Sequence, residues 1–245
     1  MPAKLGEDRK HPVQQMQKIP EGGIEMTRRI LLSAGMFAFL FFSLAAFLPA
    51  AYPLTEQGGQ GQAEEPKADF QKAHESFMKK EYDASAASIR KGADYLRKEA
   101  ESAGDKGKKL LTASVAELEK LADSVEKGAV KSDKKLKDAF SRAEHAVAND
   151  QYVKATDSWV RKETKKTGQA LDSAAMHMER AADWSGQKLK AGASRAVKEG
   201  REVSDKLVKG AGYVPEKVGK ALNRMGDAIS GFGRKIVPGK DSGKE

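Results

Sequence analysis

The chemistry open to this chain rests first on four histidines, His11, His74, His145 and His177, because it contains no cysteine. Imidazole titrates near neutral pH and is the commonest protein ligand for transition metals. His74 is followed by Glu75, and His145 is preceded by Glu144, so each pair offers a nitrogen and a carboxylate together. A metal ion needs three or four such ligands converging on it. Neither an i,i+4 histidine pair nor a Glu-x-x-His motif supplies them locally, so a metal site would have to join His74 to His145 across the fold. Surface or partly buried histidine is the preferred reading for both, and no cofactor is expected. Met176-His177-Met178 has the residue types that attract copper, but Met178 falls on an apolar helical stripe and is read as packing.

Other chemistries have less to stand on. Without cysteine there is no disulfide framework, thiolate nucleophile, iron–sulfur ligation or c-type haem attachment. The chain has no Gly-x-Ser-x-Gly, no phosphate loop and no zinc-protease helix motif. Glu and Lys at short spacings, such as Glu117 with Lys120, belong to a solvated helix face. No enzymatic activity is expected.

The elements that must position these residues are helices. Lys, Ala, Glu, Ser and Gly dominate, β-branched runs are almost absent, and aromatic residues make up 7% of the chain, which predicts an all-α bundle with a modest core. Sliding the sequence by seventy residues sets Phe70–Arg90 against Phe140–Val160: Phe70 meets Phe140, Ala73 meets Ala143, Tyr82 meets Tyr152 and Ser88 meets Ser158. On that alignment each copy is a helical hairpin with its tyrosine in the turn, and Asp83 is the N-cap of the second helix. The second helix has the stripe Ala86, Ile89, Ala93 and Leu96, and a third follows the break at Gly104-Asp105 and ends at Gly128. In copy two the stripe Leu171, Ala174, Ala175, Met178, Ala181 and Ala182 repeats the third helix. Five or six helices are expected over residues 66–187, with Trp159 and Trp184 filling a core that the copies share because neither is sturdy alone. The spacing Ala73, Tyr82, Ile89, and Ala143, Tyr152, Ala155, Trp159, resembles the helix pairs of tetratricopeptide proteins. A looser resemblance is to exported helical proteins of the YfdX type, which carry paired hairpins; neither resemblance carries a functional residue across.

The ends set the expected compartment. Arg28 and Arg29 precede an apolar run over residues 30–48 that reads as a signal peptide cleaved near Ala50 or as an uncleaved anchor, with Met1 or Met26 as the start. Both alternatives place the rest of the chain outside the cytoplasm, in the periplasm or anchored in the inner membrane. Residues 1–51 thus form a leader, 52–65 a flexible linker, 66–187 a duplicated helical bundle (copies 66–128 and 136–187), 188–236 a basic amphipathic helical tail and 237–245 a disordered terminus.

Charge follows this division. Of the net +9, residues 52–187 contribute nothing, with 24 basic and 24 acidic side chains, while residues 188–245 carry 14 basic and 7 acidic. In the tail Val218, Leu222, Met225, Ile229, Phe232 and Ile236 recur at steps of three and four, with Lys217, Lys220 and Arg224 off that stripe. Gly212, Gly219, Gly226 and Gly233 fall seven apart beside it, where glycine lets another backbone approach. These residues predict contact with a membrane surface or a partner, or docking on the body. The expected function is an exported, non-enzymatic helical interaction or structural protein of the bacterial cell envelope, whose tail meets an anionic membrane surface or an envelope protein. The alternative is a periplasmic protein that binds a small ligand or metal between the copies. Nucleic acid is not an expected partner, since the leader directs the chain out of the cytoplasm.

Overall fold

The computed structural model describes residues 66–236; the leader, the linker and the C-terminal residues 237–245 lie outside the described residues. The described chain is all-α, with seven helices: α1 (Pro66–Met78), α2 (Tyr82–Ser102), α3 (Asp105–Glu126), α4 (Asp133–Val160), α5 (Thr164–Ser185), α6 (Ala191–Lys209) and α7 (Pro215–Ile236). Pro66 and Pro215 open their helices at the first position, where a missing N–H costs nothing. Ser132 caps α4 by accepting from the Lys134 N–H.

Five helix ends are made in one way, while α2 ends on Ala103 in an extended conformation. Lys80, Gly128, Lys162, Gly186 and Gly210 all take a left-handed conformation just past a helix, with φ between 60° and 69°. At α1 the Lys80 N–H donates to Phe77 O at 2.9 Å and the Glu81 N–H to Ser76 O at 2.9 Å, and the same two bonds close α3, α4, α5 and α6. This pattern satisfies carbonyls that the helix leaves unpaired and reverses the chain tightly.

These turns reveal the internal correspondence, and it differs from the expected one. Lys80 and Lys162 are 82 residues apart, as are Gly128 and Gly210, the starts of α2 and α5, and the starts of α4 and α7. The buried positions follow the same step: Ala73 and Ala155, Ser76 and Ser158, Ile89 and Leu171, Leu96 and Met178, Val115 and Val197, Val125 and Leu207. The seventy-residue alignment therefore fails at its centre. Tyr82 begins α2, with Glu81 rather than Asp83 at its N-cap position, whereas Tyr152 lies inside the unbroken helix α4. Residues 66–187 hold five helices because α4 runs through the place where a turn was expected.

The core divides along the same line. One cluster of buried side chains runs from Phe70 to Val147 and a second from Ala148 to Ile236, so the boundary falls within α4. The apolar side chains of the first half of α4 cluster with α1, α2 and α3, and those of its second half with α5, α6 and α7, while polar contacts cross the division in both directions. In the first packet Phe70 and Phe140 are fully buried and stacked, ring centres 4.4 Å apart, which ties α1 to α4. Neither tryptophan is a central filler. Trp184 is partly buried, edge-on to Phe140, and Trp159 is partly buried beside Tyr213.

Residues 188–236 are part of this body. Helix α7 runs back along α4: the His145 ring lies against Ile229 and Phe232, and Tyr152 lies against Gly226. Of the four evenly spaced glycines, only two make close contacts. A Cβ on Gly226 would sit 2.5 Å from the Tyr152 hydroxyl and one on Gly233 2.6 Å from His145, while one on Gly219 would meet nothing within 4 Å. We expect Gly233→Ala to destabilise the protein by about 1–3 kcal/mol through overpacking. Gly219→Ala should stabilise it by up to about 1 kcal/mol through helix propensity. Denaturant unfolding of the two variants checks both; loss of similar size from each would mean that α7 is not seated on α4 by its glycines.

Candidate binding surface

The residues expected to meet a membrane or partner are placed in two groups by the structure. Val218, Leu222, Met225, Ile229, Phe232 and Ile236 all point inward, none more than 9% exposed. As a free apolar face they are a correction: α7 spends that stripe on α4, α5 and α6, because burying it in protein removes more apolar surface from water than leaving it at a solvated edge. Lys217, Lys220 and Arg224 remain on the surface. Arg224 pairs with Glu199 across α6, whereas Lys217 and Lys220 have no ion-pair partner among the described residues.

The two histidines singled out for metal do not come together. His74 Nε2 is 3.3 Å from Asp133 Oδ2, at the start of α4, with the Trp184 ring beside it. Lys137 and His74 together hold the Asp133 carboxyl below its ordinary range. His145 donates from Nε2 to the Ile229 carbonyl at 2.9 Å. It lies twelve residues beyond Asp133 on the same helix, roughly 18 Å along the axis. A single ion cannot bridge that span, and the described residues contain no group of three or more potential ligands. A metal held by His74 and His145 between two copies is thus corrected by geometry: the seventy-residue alignment put them on equivalent helices, and they are not equivalent.

Sequence reasoning set His177 aside, and the structure gives it the most constrained polar contact in the body. His177 Nδ1 lies 2.5 Å from Glu144 Oε2, and both side chains are sealed from solvent, at 1% and 0% exposure. The contact holds one proton between Nδ1 and the carboxyl group. Glu144 Oε1 has no partner. The pair joins α4 to α5 close to the boundary between the packets, with Ser141 Oγ donating to the Ala181 carbonyl one turn away. A second polar knot follows on α4: Lys154 Nζ lies 2.9 Å from Asp150 and 3.0 Å from Glu99 at the end of α2. Burial raises the Asp150 carboxyl pKa against the pull of Lys154, while on Lys154 burial opposes the charge and the two carboxylates outweigh it, raising its pKa. A sequence signal existed: Glu144, Asn149 and Asp150 flank and interrupt the apolar and small residues Ala146, Val147 and Ala148.

Two clefts open beside these elements. One, of about 530 Å³, lies where α3, α4 and α7 meet and is polar, lined by Lys106, Asn149, Tyr152, Asn223, Asp227 and Ser230. Burial and the Asp227 charge push the Tyr152 phenol above its usual pKa. The other, about 720 Å³, lies between the start of α6 and the second half of α7. Its apolar wall includes Leu189, Ala193 and Phe232, and its charged rim includes Lys190, Arg195 and Arg234. Over residues 188–236 there are 12 basic and 5 acidic side chains, a net of +7, against 24 basic and 21 acidic, a net of +3, over residues 66–187, so this segment carries most of the excess charge of the body.

Against known proteins, no family model, no curated protein and no solved structure matches this chain, the tetratricopeptide and YfdX-type families included.

Two outcomes follow from the buried polar groups. Replacing Glu144 alone with Leu leaves His177 sealed without its acceptor and should cost about 3 kcal/mol, whereas the double change Glu144→Leu, His177→Leu should cost clearly less. Equal loss in the single and double variants, by denaturant unfolding, would show that the pair is not coupled. His145 gives a pH dependence of defined sign. Burial pushes its pKa below the ordinary value, with the Ile229 carbonyl only partly offsetting this, so the folded state favours the neutral ring. The unfolded chain takes up its proton near pH 6.5, so the stability this group contributes is complete above about pH 6.5 and is lost as the pH falls from there toward the folded pKa. His145→Gln, which keeps an N–H for Ile229, should flatten that fall when unfolding midpoints are compared between about pH 7.5 and about pH 5.

Proposed function

We propose that this chain is a non-enzymatic helical interaction module, exported through its leader, that meets an anionic membrane surface by charge through the α6–α7 side of its body. The observation that carries the reading is that this hairpin turns its apolar stripe inward and leaves Lys206, Lys209, Lys217 and Lys220 outward with no ion-pair partner among the described residues. Such a surface adsorbs to negative charge without inserting, each lysine near an anionic leaflet contributing about 1 kcal/mol. The non-enzymatic part is supported by the ionisable groups of the interior, since Glu144 with His177 and Lys154 with Glu99 each hold one helix to another. That the 82-residue correspondence arose by tandem duplication belongs to the same proposal, and explains why each packet has the same order of turns.

A second reading, a polar solute held at the junction of the packets, has one observation in its favour. Asn149 lines the 530 Å³ cleft, is 8% exposed, and its Oδ1 has no hydrogen-bond partner.

The test uses the full chain with vesicles of phosphatidylcholine alone or mixed with phosphatidylglycerol, and reads amine labelling at individual lysines, so that the leader does not decide the result. Lys206, Lys209, Lys217 and Lys220 should be protected on the anionic vesicles only, and the protection should disappear in high salt because screening shortens the reach of each charge. Equal labelling on both vesicle types would sink the membrane reading.

A further inference from the structure

The 82-residue correspondence makes a comparison between the packets possible. Arg142, His145 and Tyr152 on α4 stand at the positions equivalent to Arg224, Asp227 and Arg234 on α7. On α4 all three are covered by α7: Arg142 donates to the Ile236 carbonyl at 3.3 Å, His145 to Ile229, and Tyr152 meets Gly226. In the second packet Arg224 pairs with Glu199 of α6, and Asp227 and Arg234 line the 720 Å³ cleft.

The lining shows what the open face suits. Two helical glycines border it. Gly192 has no neighbouring atom within 4 Å of an added Cβ, and Gly231 has only the tip of Arg234 at 3.9 Å. Glycine inside a helix is unfavourable relative to alanine, so at both positions the sequence forgoes a stabilising methyl beside empty space. Around the apolar wall stand Lys190, Arg195, Arg234 and Lys235, none with an ion-pair partner among the described residues, against one carboxylate, Asp227. Lys190 precedes α6 with no side-chain cap, so the first amides of that helix add a partial positive charge to the same rim. The volume is that of a small amphiphile site, whereas a stable protein partner needs a larger interface.

We propose that the cleft between the start of α6 and the second half of α7 receives a single anionic phospholipid, its phosphate on the Lys190 and Arg195 rim and the upper part of one acyl chain along Gly192, Gly231 and Phe232. This rests on the proposed anionic-surface function and gives it a defined lipid site in addition to diffuse charge.

The test is photo-crosslinking of the full chain on vesicles containing phosphatidylglycerol or phosphatidylcholine with a diazirine in the upper acyl chain, mapped by mass spectrometry. Phosphatidylglycerol should label the segments 189–195 and 228–235 about tenfold more than phosphatidylcholine does, a difference of roughly 1.4 kcal/mol. Gly231→Leu should abolish this labelling by filling the floor, with helicity and unfolding midpoint showing that the variant is folded. Lys190→Gln with Arg195→Gln should weaken it without filling anything. Labelling elsewhere, equal labelling by the two lipids, labelling unchanged in Gly231→Leu, or full competition by inorganic phosphate would each overturn the lipid site. If the cleft is unlabelled while Lys217 and Lys220 remain protected on anionic vesicles, the site falls and the surface reading stands; if both signals are missing, both fall.

Discussion

The structure depends on α4 belonging to two cores at once. It is 28 residues long, roughly 42 Å, and the buried cluster that ends at Val147 gives way to the next at Ala148 without any break in the helix. A continuous helix is rigid across such a boundary. The two packets are therefore held in one register, and the polar contacts near the boundary settle which registers are allowed. Glu144 pairs with His177 and Lys154 with Glu99 in one alignment of α4 against α5 and α2, and a slip of one turn would separate both sets of partners.

This shared helix explains why the second half of the sequence reads differently from the first although it folds in the same order. The first packet begins with α1 as a separate short helix, whose counterpart is the second half of α4. The counterpart of the first half of α4 is α7. A helix that ends one packet and begins the next must be covered on more than one side, and residues 146–150 are accordingly all buried. The open face of α7 is the same arrangement without a covering helix in the described chain, which makes it the natural place to look for a ligand.

Charge and burial then separate cleanly. Residues 52–187 are electrically balanced, and the surface ion pairs among them, such as Arg90 with Asp123 and Glu126, link neighbouring helices at exposed positions where each contributes little. The α6–α7 hairpin has too few acidic residues to do the same. Its lysines stay outward because the apolar stripe has already decided which way the helix faces. A basic surface here is thus a consequence of packing as well as of composition.

The sequence by itself determined the class of fold, the helix stripes, Gly128 as a helix stop and the location of the positive charge, since each depends on residue type and spacing within a few turns. Where a helix is covered on one side, as α2 and α5 are, the reading was close to the structure. Where it is covered all round, as α4 is, periodicity carries no stripe, and the polar run Asn149-Asp150-Gln151 looked like the turn at Lys79-Lys80-Glu81. Only the tertiary structure decided that His177 rather than His74 or His145 holds a buried carboxyl group, that the α7 stripe faces inward, and that a basic cleft opens beside α6. Those are contacts between residues 33 to 94 positions apart, such as Glu144 with His177 and Arg142 with Ile236, and no local pattern records which surfaces the chain will bring together.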